Sequence, residues 1–347
     1  MAPAGIFRPL RSPMKRLVLR LVLLLVLVAA LVAGAGWWYA HRPIALQAEV
    51  IDFTVPRGVG MRQAAGLIEG AGVDVDARLL SLLARISGRA HRIKAGSYEV
   101  HAGITPWQLI LKLSDGDVSQ GELVLVEGWT FRQVRQALES HPDLEADTAG
   151  LSDAEILARI GASEQHPEGL FFPDTYLFDK RSGVLGVLTR AYGAMHQRLE
   201  RAWAERDPST PLGSPYEALI LASIIEKETG RAQDRGLVAS VFSNRLRIGM
   251  RLQTDPSVIY GLGPDFDGRL RRIHLDTDHP WNTYTRAGLP PTPIAMPGEA
   301  ALRAALQPDK SEFLYFVARG DGSSEFSRNL AEHNRAVSKF IRNGGGR

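Results

Sequence analysis

Two glutamates, Glu226 and Glu228, stand at the end of a run from Ala218 to Ile225 that is apolar except for Ser223. A carboxylate beside buried isoleucines is disfavoured in its charged form, and the negative end of a helix disfavours it further. Such a group keeps its proton near neutrality, as a general acid must. The same residues also fit ordinary helix-end charges neutralised by Lys227 and nearby arginines, and this stretch alone leaves both readings open. Spaced two apart on a helix, the glutamates point about 200° away from each other and cannot flank one substrate bond. A glycosidase using two carboxylates would draw its partner from Glu127, Asp174 or Asp255. Each of these has a structural reading too: Glu127 and Asp255 suit helix starts, and Asp174 suits a turn.

A second group is aromatic and amide-bearing: Phe172, Tyr176, Gln253, Trp281, Asn282 and Tyr284. Flat faces and paired amide hydrogen bonds are what sugar rings with acetamido groups require. Core filling is the competing reading, for Phe172 above all. Other chemistries find little support. His274 and His279 lie near Asp276 and Asp278 without a zinc-binding H-E-x-x-H arrangement, so no metal is expected. There is no serine-nucleophile elbow and no glycine-rich phosphate loop. The absence of cysteine excludes disulfides and thiolate catalysis.

The elements that must position these residues follow from pattern. Ser214 as a cap, Pro215 at the first helical position and Glu217 three residues after the cap predict a helix start. Gly230 suits its left-handed end. Upstream, a long amphipathic helix is expected from about Val184 to Arg206, and downstream another over Asp234–Ile248. A strand at Glu122–Val126 leads through Glu127–Thr130 into a helix at Phe131–Leu138. The region from Arg269 to Pro297 reads as a long ordered loop. A strand at Phe313–Ala318, a short strand near Phe326 and a helix at Leu330–Ile341 complete this block. Before it, strands at Val50–Val55 and Gly96–Val100 alternate with helices at Met61–Glu69, Asp76–Ile86 and about Thr105–Leu113. That alternation predicts a separate small α+β domain, joined through a short tether at His41–Gln47.

The N-terminus has a different composition. Leu21–Tyr39 holds no charge over a length that spans a bilayer core as a helix. Arg8, Arg11, Lys15, Arg16 and Arg20 precede it, which predicts a cytoplasmic N-terminus and an exported body. Trp37, Trp38 and Tyr39 would form the far aromatic belt. Ala33-Gly34-Ala35 resembles a signal-peptide cleavage site, but the long run and the belt favour a retained anchor. Of 41 basic residues, five precede the apolar run, leaving 36 against 38 acidic ones. The exported part is close to neutral, so nucleic acid is not implied as a partner.

At several motifs the chain resembles the MltG (YceG-like) endolytic murein transglycosylases. They are EGWT at Glu127–Thr130, FPDTY at Phe172–Tyr176, ASIIEKET at Ala222–Thr229 and VFSNRLRIGMRLQTDPSVIYG at Val241–Gly261. NTY at Asn282–Tyr284, GLPPTPI at Gly288–Ile294, and LYFVA with the later His333-Asn334 complete the set. Ser257 and Thr292 are mild variants. The resemblance implies an α+β protein with a basic cytoplasmic segment (1–20), a transmembrane anchor (21–40), a LysM-like domain (48–118) and a catalytic domain (119–345). It places Glu226 at the position of the family's catalytic glutamate. Phe172, Asp174, Tyr176, Gln253, Asp255, Asn282 and Tyr284 are the expected substrate-binding residues.

The implied activity is cleavage of the bond between N-acetylmuramic acid and N-acetylglucosamine within nascent strands, leaving a 1,6-anhydro end. No cofactor is implied. The implied partners are peptidoglycan glycan strands, the inner membrane and peptidoglycan synthases. A hydrolytic muramidase and a non-catalytic, membrane-tethered glycan binder are the alternatives.

Overall fold

The computed structural model describes residues 13–342. Its first helix, α1 (Pro13–His41), is long and apolar enough over Leu17–His41 to cross a membrane, with a mean hydropathy of 2.9. Its leucines and valines, with Trp37 and Trp38, are exposed instead of packed into the protein, as in a single-pass membrane protein. Arg8 and Arg11 lie outside the described residues.

The chain divides into two compact units, one of residues 1–120 with 179–181 and the other of 121–178 with 182–347. The smaller holds β1 (Val50–Val55), α2 (Met61–Gly70), α3 (Ala77–Ile86), β2 (Gly96–His101) and α4 (Pro106–Asp115). Strands β1 and β2 pair antiparallel with Phe53 opposite Tyr98, whose rings stack at 5.6 Å inside the core. Helix α4 starts on a reciprocal cap between Thr105 and Gln108, with Pro106 in its first turn. The segment expected to be a free tether is instead part of this unit. Ile44 is buried and its amide donates to Ile104 O at 2.8 Å, while Leu46 bridges Val73. An apolar residue in mid-tether is what draws the chain down.

The larger unit contains β3 (Gln120–Val124) and β5 (Thr175–Asp179) except for their end residues Gln120 and Asp179, with α5 (Phe131–Glu139), β4 (Leu144–Glu145), α6 (Asp153–Ile160), β6 (Ser182–Gly183), α7 (Val184–Ala204), α8 (Pro215–Glu228), α9 (Ala232–Arg247), α10 (Asp255–Leu262), α11 (Arg272–Asp276), α12 (Glu299–Leu306), β7 (Tyr315–Ala318), β8 (Ser324–Ser327) and α13 (Leu330–Val337). Its strands form two-stranded ribbons, β3–β5, β4–β6 and β7–β8. The body is therefore helical, around α8.

Every residue of α8 from Ala218 to Ile225 is buried, against α7, α9, α10 and α12. Ser214 caps its N-terminus by accepting from the Glu217 amide, whereas the Glu217 carboxylate reaches back to the Gly213 amide. The expected left-handed end at Gly230 is not used. Thr229 is already extended, at φ −144° and ψ 124°, so the helix stops at Glu228. Three helices were not expected from the sequence: α6, α12 and the short α11, which lies within the stretch read as a long ordered loop. Helix α12 matters most, because its start touches Glu226.

Candidate active site

Ser223 and Glu226 are one turn apart on the face of α8 that meets the loop before α12. The Ile294 amide donates to Ser223 Oγ at 3.0 Å, and the Gly298 amide donates to Glu226 Oε2 at 3.0 Å. Gly298 is the N-cap of α12, so the carboxylate lies at the positive end of a helix. Ile294, Ala295 and Met296 between these two points are buried.

Glu226 itself is only partly buried, between fully buried Ile225 and exposed Lys227. Burial raises its carboxyl above the usual carboxylate range. The Gly298 hydrogen bond opposes this, Glu127 adds to it, and Arg235 and Lys227 oppose it. Burial wins, and the group has the proton affinity suited to an acid with access to solvent.

The loop Glu127–Thr130 is fastened to the same place. The Gly128 amide donates to Met296 O at 2.8 Å and the Met296 amide to Trp129 O at 2.7 Å. Lys227 Nζ donates to Gly128 O at 3.1 Å. Gly128 has φ +77°, a left-handed conformation that only glycine takes without strain. Below this loop, buried Glu168 accepts from the Phe131 amide at 2.9 Å at the start of α5. Burial pushes its carboxyl up to about 7 despite that bond and one from Tyr260.

The other expected residues fall into two groups. Gln253, Asp255 and Tyr284 come together with Glu228 around a cavity of about 400 Å³, which Arg245, Tyr315 and His333 also line. Tyr284 Oη donates to Asp255 Oδ1 at 2.5 Å, and Thr254 Oγ1 donates to Glu228. Burial pushes Glu228 up to about 7, with Thr254 and Arg245 opposing and Asp255 adding. Gln253 is exposed at φ +52°, held by its amide to Thr283 O at 3.1 Å.

Phe172, Asp174 and Tyr176 gather instead around Arg198 and the core. The Arg198 guanidinium sits 3.8 Å from the centroid of the Phe172 ring and 3.6 Å from Asp174 Oδ2. Tyr176 is buried and donates to Phe172 O at 2.8 Å. Asn282 joins neither group. It is 1% exposed, its Nδ2 donates to the carbonyls of His274, Leu275 and Thr277, and its Oδ1 accepts from the Tyr284 amide. Its polar atoms are spent on holding the long loop.

Gly298, which bonds Glu226 directly, has no signal in the sequence beyond Pro297-Gly298-Glu299 before an alanine-rich apolar stretch. Arg198 and Arg235 carry no local signal at all.

The model of the YceG-like family matches residues 53–339. The chain is 30% identical over 308 residues to the endolytic murein transglycosylase of Bacillus subtilis, covering 84% of this chain and 85% of that protein. It is 26% identical to the endolytic murein transglycosylase of Streptococcus pneumoniae over 83% of this chain, but spans only 58% of that longer protein. The crystal structure of a YceG-like protein from Listeria monocytogenes superimposes with a TM-score of 0.53 at 31% identity, covering 83% of this chain and 99% of the other. Glu226, with the loops that Gly128 and Gly298 close around it, thus lies inside the matched region, and the chain belongs to the YceG-like family.

Proposed function

We propose that the chain is a membrane-anchored lytic transglycosylase that cuts peptidoglycan strands between N-acetylmuramic acid and N-acetylglucosamine, with Glu226 as acid and then base. The observation that carries this reading is Glu226 itself, a carboxyl raised by burial at the end of an apolar helix yet accessible, with its orientation set by the Gly298 amide.

Protonated Glu226 gives its proton to the glycosidic oxygen as the bond from that oxygen to C1 of the muramyl residue breaks. The N-acetylglucosamine side leaves as an alcohol. The C6 hydroxyl oxygen of the same muramyl residue then bonds to C1, and its proton passes to the Glu226 carboxylate. The 1,6-anhydro ring closes, no water is consumed and the acid is restored. The Gly298 hydrogen bond favours the carboxylate stage, so burial and this amide together fit the group to both halves of the reaction.

The cavity bordered by Gln253, Asp255 and Tyr284 would receive sugar or acetamido groups further along the strand. Phe172, Tyr176 and Asn282 serve through the architecture, and Asp174 through Arg198. The basic residues ahead of the apolar run, Arg8, Arg11, Lys15, Arg16 and Arg20, would keep the N-terminus in the cytoplasm and the rest of the chain in the periplasm. There the smaller unit, LysM-like by resemblance, would hold glycan close to the membrane. Action on nascent strands beside peptidoglycan synthases, ending their elongation, is the natural use of such an anchor. Purified Glu226→Gln should lose roughly 100- to 10,000-fold in strand cleavage with an unchanged unfolding midpoint. Undiminished cleavage by that variant would refute the assignment.

A further inference from the structure

The sequence offers no second carboxylate on the helix face of Glu226, but the fold supplies one from another segment. A Cβ built on Gly298 would lie 1.8 Å from Glu127 Oε1 and 2.4 Å from its Cδ. The Glu127 carboxylate therefore rests against Gly298, the residue whose amide holds Glu226 at 3.0 Å. With ordinary bond lengths across Gly298, the two carboxylates are within roughly 7 Å of each other. That range includes the carboxyl separations from which glycosidases work.

We propose that Glu127 is the second carboxylate of this site, an exposed group held across Gly298 from Glu226 and facing the positive charge that develops on the sugar as the glycosidic bond breaks. Three features support this beyond proximity. Glu127 is exposed and accepts no hydrogen bond from the described residues, so its oxygens are available to a ligand. Its loop is fixed at three points, the two backbone bonds to Met296 and the Lys227 bond to Gly128 O, so it is not a wandering surface charge. Gly298 has ordinary backbone angles, φ −80° and ψ 172°, so no backbone constraint demands glycine there. What excludes a side chain is the space that the Glu127 carboxylate occupies.

The charge of Glu127 also adds to the burial that raises the Glu226 carboxyl above the usual carboxylate range. Because the closing step uses the sugar's own hydroxyl, Glu127 needs to take up no proton. Its part is electrostatic, stabilising a cationic transition state.

This inference deepens the proposed reaction and rests on it, so its test includes a readout that does not need cleavage. Binding of a cationic iminosugar bearing an acetamido group is compared with binding of an uncharged N-acetylglucosamine oligomer, by calorimetry on the full chain in detergent. Glu127→Gln should weaken the cation roughly tenfold and leave the neutral ligand within about twofold. Glu127→Asp, which keeps the charge, should recover part of the difference. Gly298→Ala pushes the carboxylate aside without changing any charge and should reproduce the loss. Equal affinity of Glu127→Gln and the unaltered chain for the cation, or equal weakening of both ligands, would overturn the proposal whether or not the chain cleaves glycan. Where the unaltered chain cleaves, Glu127→Gln should lower kcat more than it raises KM.

Discussion

Ser223 and Glu226 hold two points of one loop, Ser223 through the Ile294 amide and Glu226 through the Gly298 amide, each at 3.0 Å. The only polar residue in the apolar run of α8 is thus a positioning residue for the carboxylate one turn later. Its hydroxyl also donates to Ile220 O at 2.7 Å, so both of its capacities are used inside the core.

Ser223→Ala should leave the Ile294 amide buried and unpaired, which costs about 1–3 kcal/mol. Because the same loop carries the Gly298 amide, strand cleavage should fall with it. Urea unfolding beside a cleavage assay reads both. A variant as stable and as active as the unaltered chain would show that the loop is held elsewhere.

Asn282→Ala should be more costly, about 2–4 kcal/mol, because it strands the three carbonyls that its Nδ2 serves and frees the Tyr284 amide. Thermal unfolding is the measurement. A loss below about 0.5 kcal/mol would return this side chain to the candidates for ligand binding.

Glu168 gives a pH signature. Its carboxyl is raised from 4.5 to about 7 by burial, so between those values the folded chain holds a proton that the unfolded chain has released. Stability is then greatest below 4.5 and falls as pH rises through about 7. Glu228 has the same sign. Unfolding free energy should be lower at pH 8 than at pH 5, and Glu168→Gln should remove roughly 1–3 kcal/mol of that difference. An unchanged pH dependence in Glu168→Gln would mean that this carboxyl is ionised in the folded state.

Tyr284→Phe removes the donor to Asp255 Oδ1 on the rim of the cavity beside Glu228. If glycan passes here, KM should rise several-fold while kcat changes little, since Glu226 is untouched. Steady-state kinetics on uncrosslinked strands decides it, and a loss confined to kcat would remove the cavity from the binding path.

Much of this was legible from residue pattern. Ser214 and Pro215 marked the start of α8, and unbroken apolarity marked it as buried on most sides. The strand at Val50–Val55 and the helix starts near Phe131 and Val184 followed from apolar periodicity. What pattern missed was set by tertiary packing. Helix α12 is short, alanine-rich and without a side-chain cap, yet the amide of its N-cap residue Gly298 orients Glu226. Gly230 looked like a helix end, but the chain turns extended one residue earlier, at Thr229. Glu127 was a plausible partner by residue type alone. Only the close approach of its carboxylate to Gly298 ties it to Glu226, and no local sequence signal records that. Among the polar and aromatic residues expected around a sugar, the sequence could not separate Asn282, whose amide is consumed by backbone carbonyls, from Gln253, which is left exposed.

The most direct test of the central claim is mass spectrometry of the strand ends released from uncrosslinked peptidoglycan by the full chain and by Glu226→Gln. The account predicts muramyl ends lighter than reducing ends by one water from the unaltered chain, and no new ends from Glu226→Gln. Reducing ends from the unaltered chain, or anhydro ends formed by Glu226→Gln as fast as by the unaltered chain, would contradict it.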